Sequence, residues 1–124
     1  MNNLVKRILI VEDSLDIQRL LDKVLKKAGY TVEYAVNGQE ALRVLHAAVE
    51  MPGLILLDLM MPDMDGYQFR DEQEKDARIA QIPVVVMTAD GGIQSKSIKM
   101  GAKGFLKKPF VDIPTILDTV GRFF

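Results

Sequence analysis

Residues 54–66, LILLDLMMPDMDG, decide how this chain is read. Residues 54–57 make a short apolar run that fits a strand, Asp58 ends it, and Pro62, Asp63 and Gly66 mark a turn into a helix. Three more runs end the same way, in residues suited to phosphate chemistry. RILIV is followed by Glu12 and Asp13, PVVVM by Thr88, and KGFLK by Lys108. Runs of this kind, spaced by helical patterns, predict a parallel sheet whose carboxyl edge gathers such residues in one crevice.

The period of the pattern alternates along the chain. After the first run, Ile17, Leu20, Leu21, Val24, Leu25 and Ala28 keep helical spacing, with Ser14 to cap the start and Gly29 to close the end. Residues 31–35 read as a second strand. Asn37 with Glu40 gives a capping-box-like start to a second helix carrying Ala41, Leu42, Leu45, Ala48 and Val49, which Pro52 and Gly53 stop. The third helix runs through Tyr67, Phe69 and RDEQEKDAR, and its apolar stripe is thin. A loop with Asp90, Gly91 and Gly92 follows the fourth strand, and adjacent glycines suit a segment that moves. A short fourth helix is expected over 93–100 and a fifth strand over 103–107. Asp112 is expected to cap a last helix through Ile113, Ile116, Leu117, Val120 and Phe124. Five strands and five helices in alternation, joined by right-handed crossovers, predict a doubly wound α/β sheet covered on both faces.

Composition narrows the function. A chain of 124 residues, 48% of them hydrophobic, has room for one domain over residues 1–124. Sixteen Lys and Arg against 17 Asp and Glu leave a formal charge of -1, with no basic face for direct nucleic-acid binding. The absence of cysteine removes disulfides, thiolate metal sites and thiol catalysis. No signal-peptide pattern or membrane-length apolar stretch is read, so a cytoplasmic protein is expected.

The strand-end residues carry the chemistry. Glu12, Asp13 and Asp58 in one crevice repel, each pair by roughly 3 kcal/mol at about 5 Å and an effective dielectric of 20. A cation is therefore required among them, and oxygen ligands select a hard divalent ion, Mg²⁺ (or Mn²⁺). With that ion and Lys108 the site is neutral and admits a phosphoryl group. Asp58 is the candidate in-line nucleophile, with Lys108 and the Thr88 hydroxyl as donors to the phosphoryl oxygens.

At these positions the chain resembles the receiver domain of bacterial two-component response regulators over essentially its whole length. ILIVEDS resembles the family's first strand with its acidic pair, LILLDLMMPDMDG the phosphoacceptor segment, VVVMTA the hydroxyl position, and GAKGFLKKPF the lysine with its proline. The resemblance implies a three-layer flavodoxin-like sheet of order 2-1-3-4-5, an order the doubly wound class is known for. It implies that Asp58 accepts a phosphoryl group from a histidine kinase or histidine phosphotransfer protein. Mg²⁺ would be held by Asp13, Asp58 and the Met60 backbone carbonyl, with Glu12 acting through water. Thr88 and Phe105 would be the switch residues, the Lys108–Pro109 bond cis, and the changing face that of the fourth helix, fifth strand and last helix. Self-phosphorylation and self-dephosphorylation would be the only chemistry, and Met60 and Asp90 would tune how fast water removes the phosphoryl group.

Other readings stay open at this point. An aspartate-nucleophile phosphatase would want a second acid two positions after Asp58, where Met60 stands, and a phosphate-independent binding module would not need all five site positions. Asp63, Asp65, Gly66 and Glu72 match part of a calcium loop, but Met61 and Pro62 occupy its first positions, so calcium is rejected. Met61 and Met64 read as rim packing, and His46 as solvated on the second helix. Gln73, where the family's third helix is often apolar, and Arg70 beside Phe69 suggest a loosely packed helix or a polar docking face. The kinase, the downstream protein and homodimerisation are left undetermined.

Overall fold

A computed structural model of the chain describes residues 6–89, 100–110 and 112–124. In chain order the elements are β1 (Arg7–Val11), α1 (Leu15–Lys27), β2 (Thr31–Ala35), α2 (Gly38–Ala47), β3 (Leu54–Asp58), α3 (Gly66–Lys75), β4 (Val84–Thr88), β5 (Gly104–Lys107) and α4 (Ile113–Gly121). The five strands form one parallel sheet in the order β2-β1-β3-β4-β5. The helix expected over 93–100 falls, all but Met100, outside the described residues, as does Asp90, so α4 is the last helix of the sequence pattern. Among the described residues no helix is long and apolar enough to cross a membrane.

The sheet is central because its inner strands are apolar on both sides. Every position of β3 and β4 is buried, as a strand covered by helices on two faces requires. Alternation then splits the core in two. Leu9, Val11, Ile55, Leu57, Val84 and Val86 pack with Ala41 and Leu45 of α2 and Phe69 of α3. Ile8, Ile10, Leu54, Leu56, Val85 and Met87 pack with Leu21, Val24 and Leu25 of α1 and Ile116 and Val120 of α4.

Several local expectations are refined. Ser14 Oγ accepts from Ile17 N at 3.4 Å, and Gly29 closes α1 at φ +98°. Asn37 Oδ1 accepts from Glu40 N at 2.8 Å, but Glu40 returns its carboxylate to Val36 N, so the capping box is only half formed. The full box sits instead at Asp65 and Gln68, at the start of α3. α2 ends at Ala47, which leaves Val49 almost wholly exposed instead of on the apolar stripe. Asp112 makes no side-chain bond to the backbone of α4; its carboxylate accepts from the Thr115 hydroxyl at 2.8 Å. Phe124 lies past the end of α4, its ring 5.2 Å from that of Tyr30.

One close approach ties this scaffold to the β3 carboxyl end. A Cβ on Gly66 would lie 2.7 Å from the Asp58 carbonyl oxygen and 2.8 Å from Leu59 Cα, backbone atoms that cannot give way cheaply. Gly66→Ala is therefore expected to lower stability by about 1–3 kcal/mol through overpacking. Urea unfolding would show it as a lower midpoint at unchanged slope; a wild-type midpoint would mean that α3 shifts freely against β3.

Candidate functional site

The carboxyl ends of β1, β3, β4 and β5 open on one cavity of about 410 Å³ lined by Glu12, Asp13, Ser14, Asp58, Met60, Thr88, Ala89 and Lys108. Each side chain gets there by the strand that ends beside it. Glu12 N extends the β1–β2 ladder by donating to Ala35 O at 2.9 Å, and Lys108 N donates to Thr88 O at 2.9 Å across β4 and β5. The β3–β4 register sets Asp58 opposite Met87. Lys108 is joined to Pro109 by a cis peptide bond.

Charge is concentrated and partly buried. Glu12, Asp58 and Thr88 are buried, whereas Asp13 is exposed. Lys108 Nζ donates to Glu12 Oε1 at 2.6 Å and lies 3.3 Å from Asp58 Oδ1. Glu12 Oε2 accepts from Ser14 N at 3.1 Å, and Asp58 Oδ1 from Met60 N at 3.3 Å. One oxygen each of Glu12, Asp13 and Asp58 lies within 4.8 Å of the others, an arrangement able to hold a metal ion. Oxygen-only donors with an exposed member suit a hard, partly hydrated divalent cation. Burial pushes the Glu12 carboxyl from 4.5 up to about 7, against the Lys108 and Ser14 hydrogen bonds that lower it, while the Asp58 charge adds to the rise.

The expected residues Glu12, Asp13, Asp58, Met60, Thr88 and Lys108 all line this cavity. Phe105 does not. It pairs with Val86 in the sheet, is 37% exposed, and borders a separate cavity between β5 and α4. Met60 is 74% exposed at the mouth. Two contributors were not read from the sequence: the Ser14 N–H and the Gln18 amide, whose Nε2 donates to Glu12 O at 2.5 Å. The sequence marks Ser14 only as a helix cap, and Gln18 lies one turn on, where a polar side chain within reach of the strand end is the available signal.

The family of the chain follows from comparison with known proteins. A family model described as the response regulator receiver domain matches residues 8–120, and the chain belongs to that family. It is 41% identical, over 92% of its own length and 47% of the other's, to the DNA-binding dual master transcriptional regulator RpaA of Synechocystis sp.. It is 30% identical to the chemotaxis protein CheY4 of Vibrio cholerae, with a TM-score of 0.86 over 98% of this chain and 100% of that one. It is also similar, at 25% identity and a TM-score of 0.85 over 97% of this chain and 98% of that one, to the receiver domain of a sensor histidine kinase from Pseudomonas aeruginosa, whose structure has a magnesium ion coordinated in the active site cleft. The chain spans about half the length of the curated relatives it matches. As a receiver domain it is a signalling module of two-component systems.

The raised Glu12 value has a sign that can be tested. Between 4.5 and about 7 the folded protein holds a proton that the unfolded chain has released, so metal-free stability falls as pH rises through this window. Urea midpoints at pH 5 and pH 8 are expected to drop more for the wild type than for Glu12→Gln. Parallel pH profiles would show that Glu12 is not the group responsible.

Proposed function

We propose that the chain is a phosphorylation-controlled switch in which Asp58 takes a phosphoryl group from the phosphohistidine of a histidine kinase or phosphotransfer protein. The observation that carries this reading is the placement of Lys108 Nζ between two buried carboxylates, 2.6 Å from Glu12 and 3.3 Å from Asp58. A buried carboxylate left beside one ammonium and two further acids needs compensation by more positive charge. Glu12, Asp13 and Asp58, with the Met60 carbonyl, would hold Mg²⁺ or Mn²⁺, which when bound offsets negative charge and aligns phosphoryl oxygens.

The chain's own residues do the rest. An Asp58 carboxylate oxygen attacks phosphorus as the phosphorus–nitrogen bond to the donor imidazole breaks, and the electron pair leaves with that nitrogen. Lys108 turns from its carboxylate partners to a phosphoryl oxygen, and the Thr88 hydroxyl donates to another. Forming the aspartyl phosphate replaces the single carboxylate charge by a phosphoryl group of roughly -2, and its acceptor oxygens draw β4 and β5 toward it. Phe105, now outward, then moves in behind Thr88 and changes the β5–α4 face for a downstream protein. Met60 at the mouth and Asp90 set how fast water reaches phosphorus. Self-phosphorylation from small donors and self-dephosphorylation are the only reactions this reading requires.

Acetyl phosphate with Mg²⁺, followed by intact mass, tests it. The wild type is expected to gain one phosphoryl group, Asp58→Asn none, and Lys108→Ala to react on the order of 100-fold more slowly. A gain that survives Asp58→Asn, or no gain in a wild type that binds the metal, would overturn the assignment.

A further inference from the structure

Arg70 and Gln73 play no part in the switch chemistry, yet both turn inward. Gln73 is fully buried. Its Nε2 donates to Ile79 O at 3.0 Å and Ile82 O at 3.1 Å, and its Oε1 accepts from Arg70 Nη1 at 3.0 Å. Arg70 Nε donates to Met100 O at 2.8 Å, with Glu74 Oε1 3.4 Å away. Gly101, at φ +74°, lets the turn pass beneath the guanidinium, since a Cβ there would lie 3.1 Å from Arg70 Nη2. The helix therefore presents neither a loose face nor a polar docking face at these positions.

Two of the three carbonyls held by this pair, those of Ile82 and Met100, lead into strands. Ile82 leads through Pro83 into β4, and Met100 leads into β5, where Lys103 N donates to Val84 O at 2.8 Å. One amide and one guanidinium on α3 thus hold the amino ends of the two strands whose carboxyl ends deliver Thr88 and Lys108. Backbone oxygens outside the ladder gain donors that fix the chain in place, and a buried carbonyl stripped of its donor is costly.

We infer that Arg70 and Gln73 are positioning residues for the switch: they pin the distal ends of β4 and β5, so that the pull of a phosphoryl group on Thr88 and Lys108 swings each strand about a fixed end. The inference rests on the phosphorylation reading above. Without the pin, the strands would shift along their length and place Lys108 poorly.

The test compares the wild-type 124-residue chain with Gln73→Leu, Arg70→Met, Arg70→Lys and Val24→Ala. Val24 lies in the core on the opposite sheet face, so that variant reports what lost stability alone does. Amide exchange at Lys103 and Lys108 is followed by NMR, and phosphorylation by acetyl phosphate and Mg²⁺ by mass. Gln73→Leu and Arg70→Met are expected to speed exchange at both amides by about 10-fold or more and to slow phosphorylation several-fold, while Val24→Ala leaves the phosphorylation rate unchanged. Arg70→Lys keeps a cation but loses the fork, and is expected to show the same effect at smaller size even if Gln73→Leu does not fold. Faster exchange at Lys103, with Lys108 and the phosphorylation rate unaltered, would reduce the pair to packing and overturn the inference. A wild type that takes no phosphoryl group would instead defeat the switch reading, and exchange at Lys108 would still decide whether the pair pins the strands.

Discussion

Like charges forced together at the edge of a dry sheet are the constraint around which this molecule is built. A parallel sheet covered on both faces leaves its carboxyl edge as the place where polar side chains can meet, and here Glu12, Asp13 and Asp58 meet there. Such convergence costs free energy unless positive charge is supplied. Lys108 provides one unit from just past β5, across the sheet from Glu12, yet burial, with the Asp58 charge adding to it, still pushes the Glu12 carboxyl upward. The scaffold thus holds three carboxylates beside one ammonium, an arrangement that added positive charge would stabilise.

Much of this was legible because Glu12, Asp58, Thr88 and Lys108 each sit one step past a strand-forming run. A change from β-branched to polar side chains marks a strand end, and alternation with helices of one apolar stripe leaves few topologies for the sheet. The gathering of Glu12, Asp58, Thr88 and Lys108 in one cavity follows from that logic alone. The parts that resisted reading were those without a residue-type signature. The Ser14 N–H that holds Glu12 is backbone, and Gln18 acts through a carbonyl. The Asp65–Gln68 capping box is present as letters but lies inside a stretch whose Pro62, Asp63 and Gly66 signal a turn.

Helix α3 shows how periodicity misleads where a polar residue is buried. Apolar stripes count Gln73 as surface, so the helix looked thin, although Gln73 is as buried as Phe69. Its amide meets three partners within hydrogen-bond distance, two carbonyls and a guanidinium, and a satisfied amide inside a protein specifies geometry in a way that leucine cannot. The opposite error occurred at Val49, which continued the α2 stripe in sequence but falls beyond the end of the helix. Helical spacing says which face a residue would occupy and not whether the helix reaches it.

The stretch between β3 and α3 works as a ruler of fixed length. Gly66 abuts the Asp58 and Leu59 backbone, Gly38 N donates to Met64 O at 2.9 Å, and a Cβ on Gly38 would strike Met64 Cγ at 2.6 Å. Surface loops ordinarily accept inserted or deleted residues with little penalty. This one cannot change length without moving Asp58, whereas an exposed side chain such as Met60 can be exchanged with the backbone left in place.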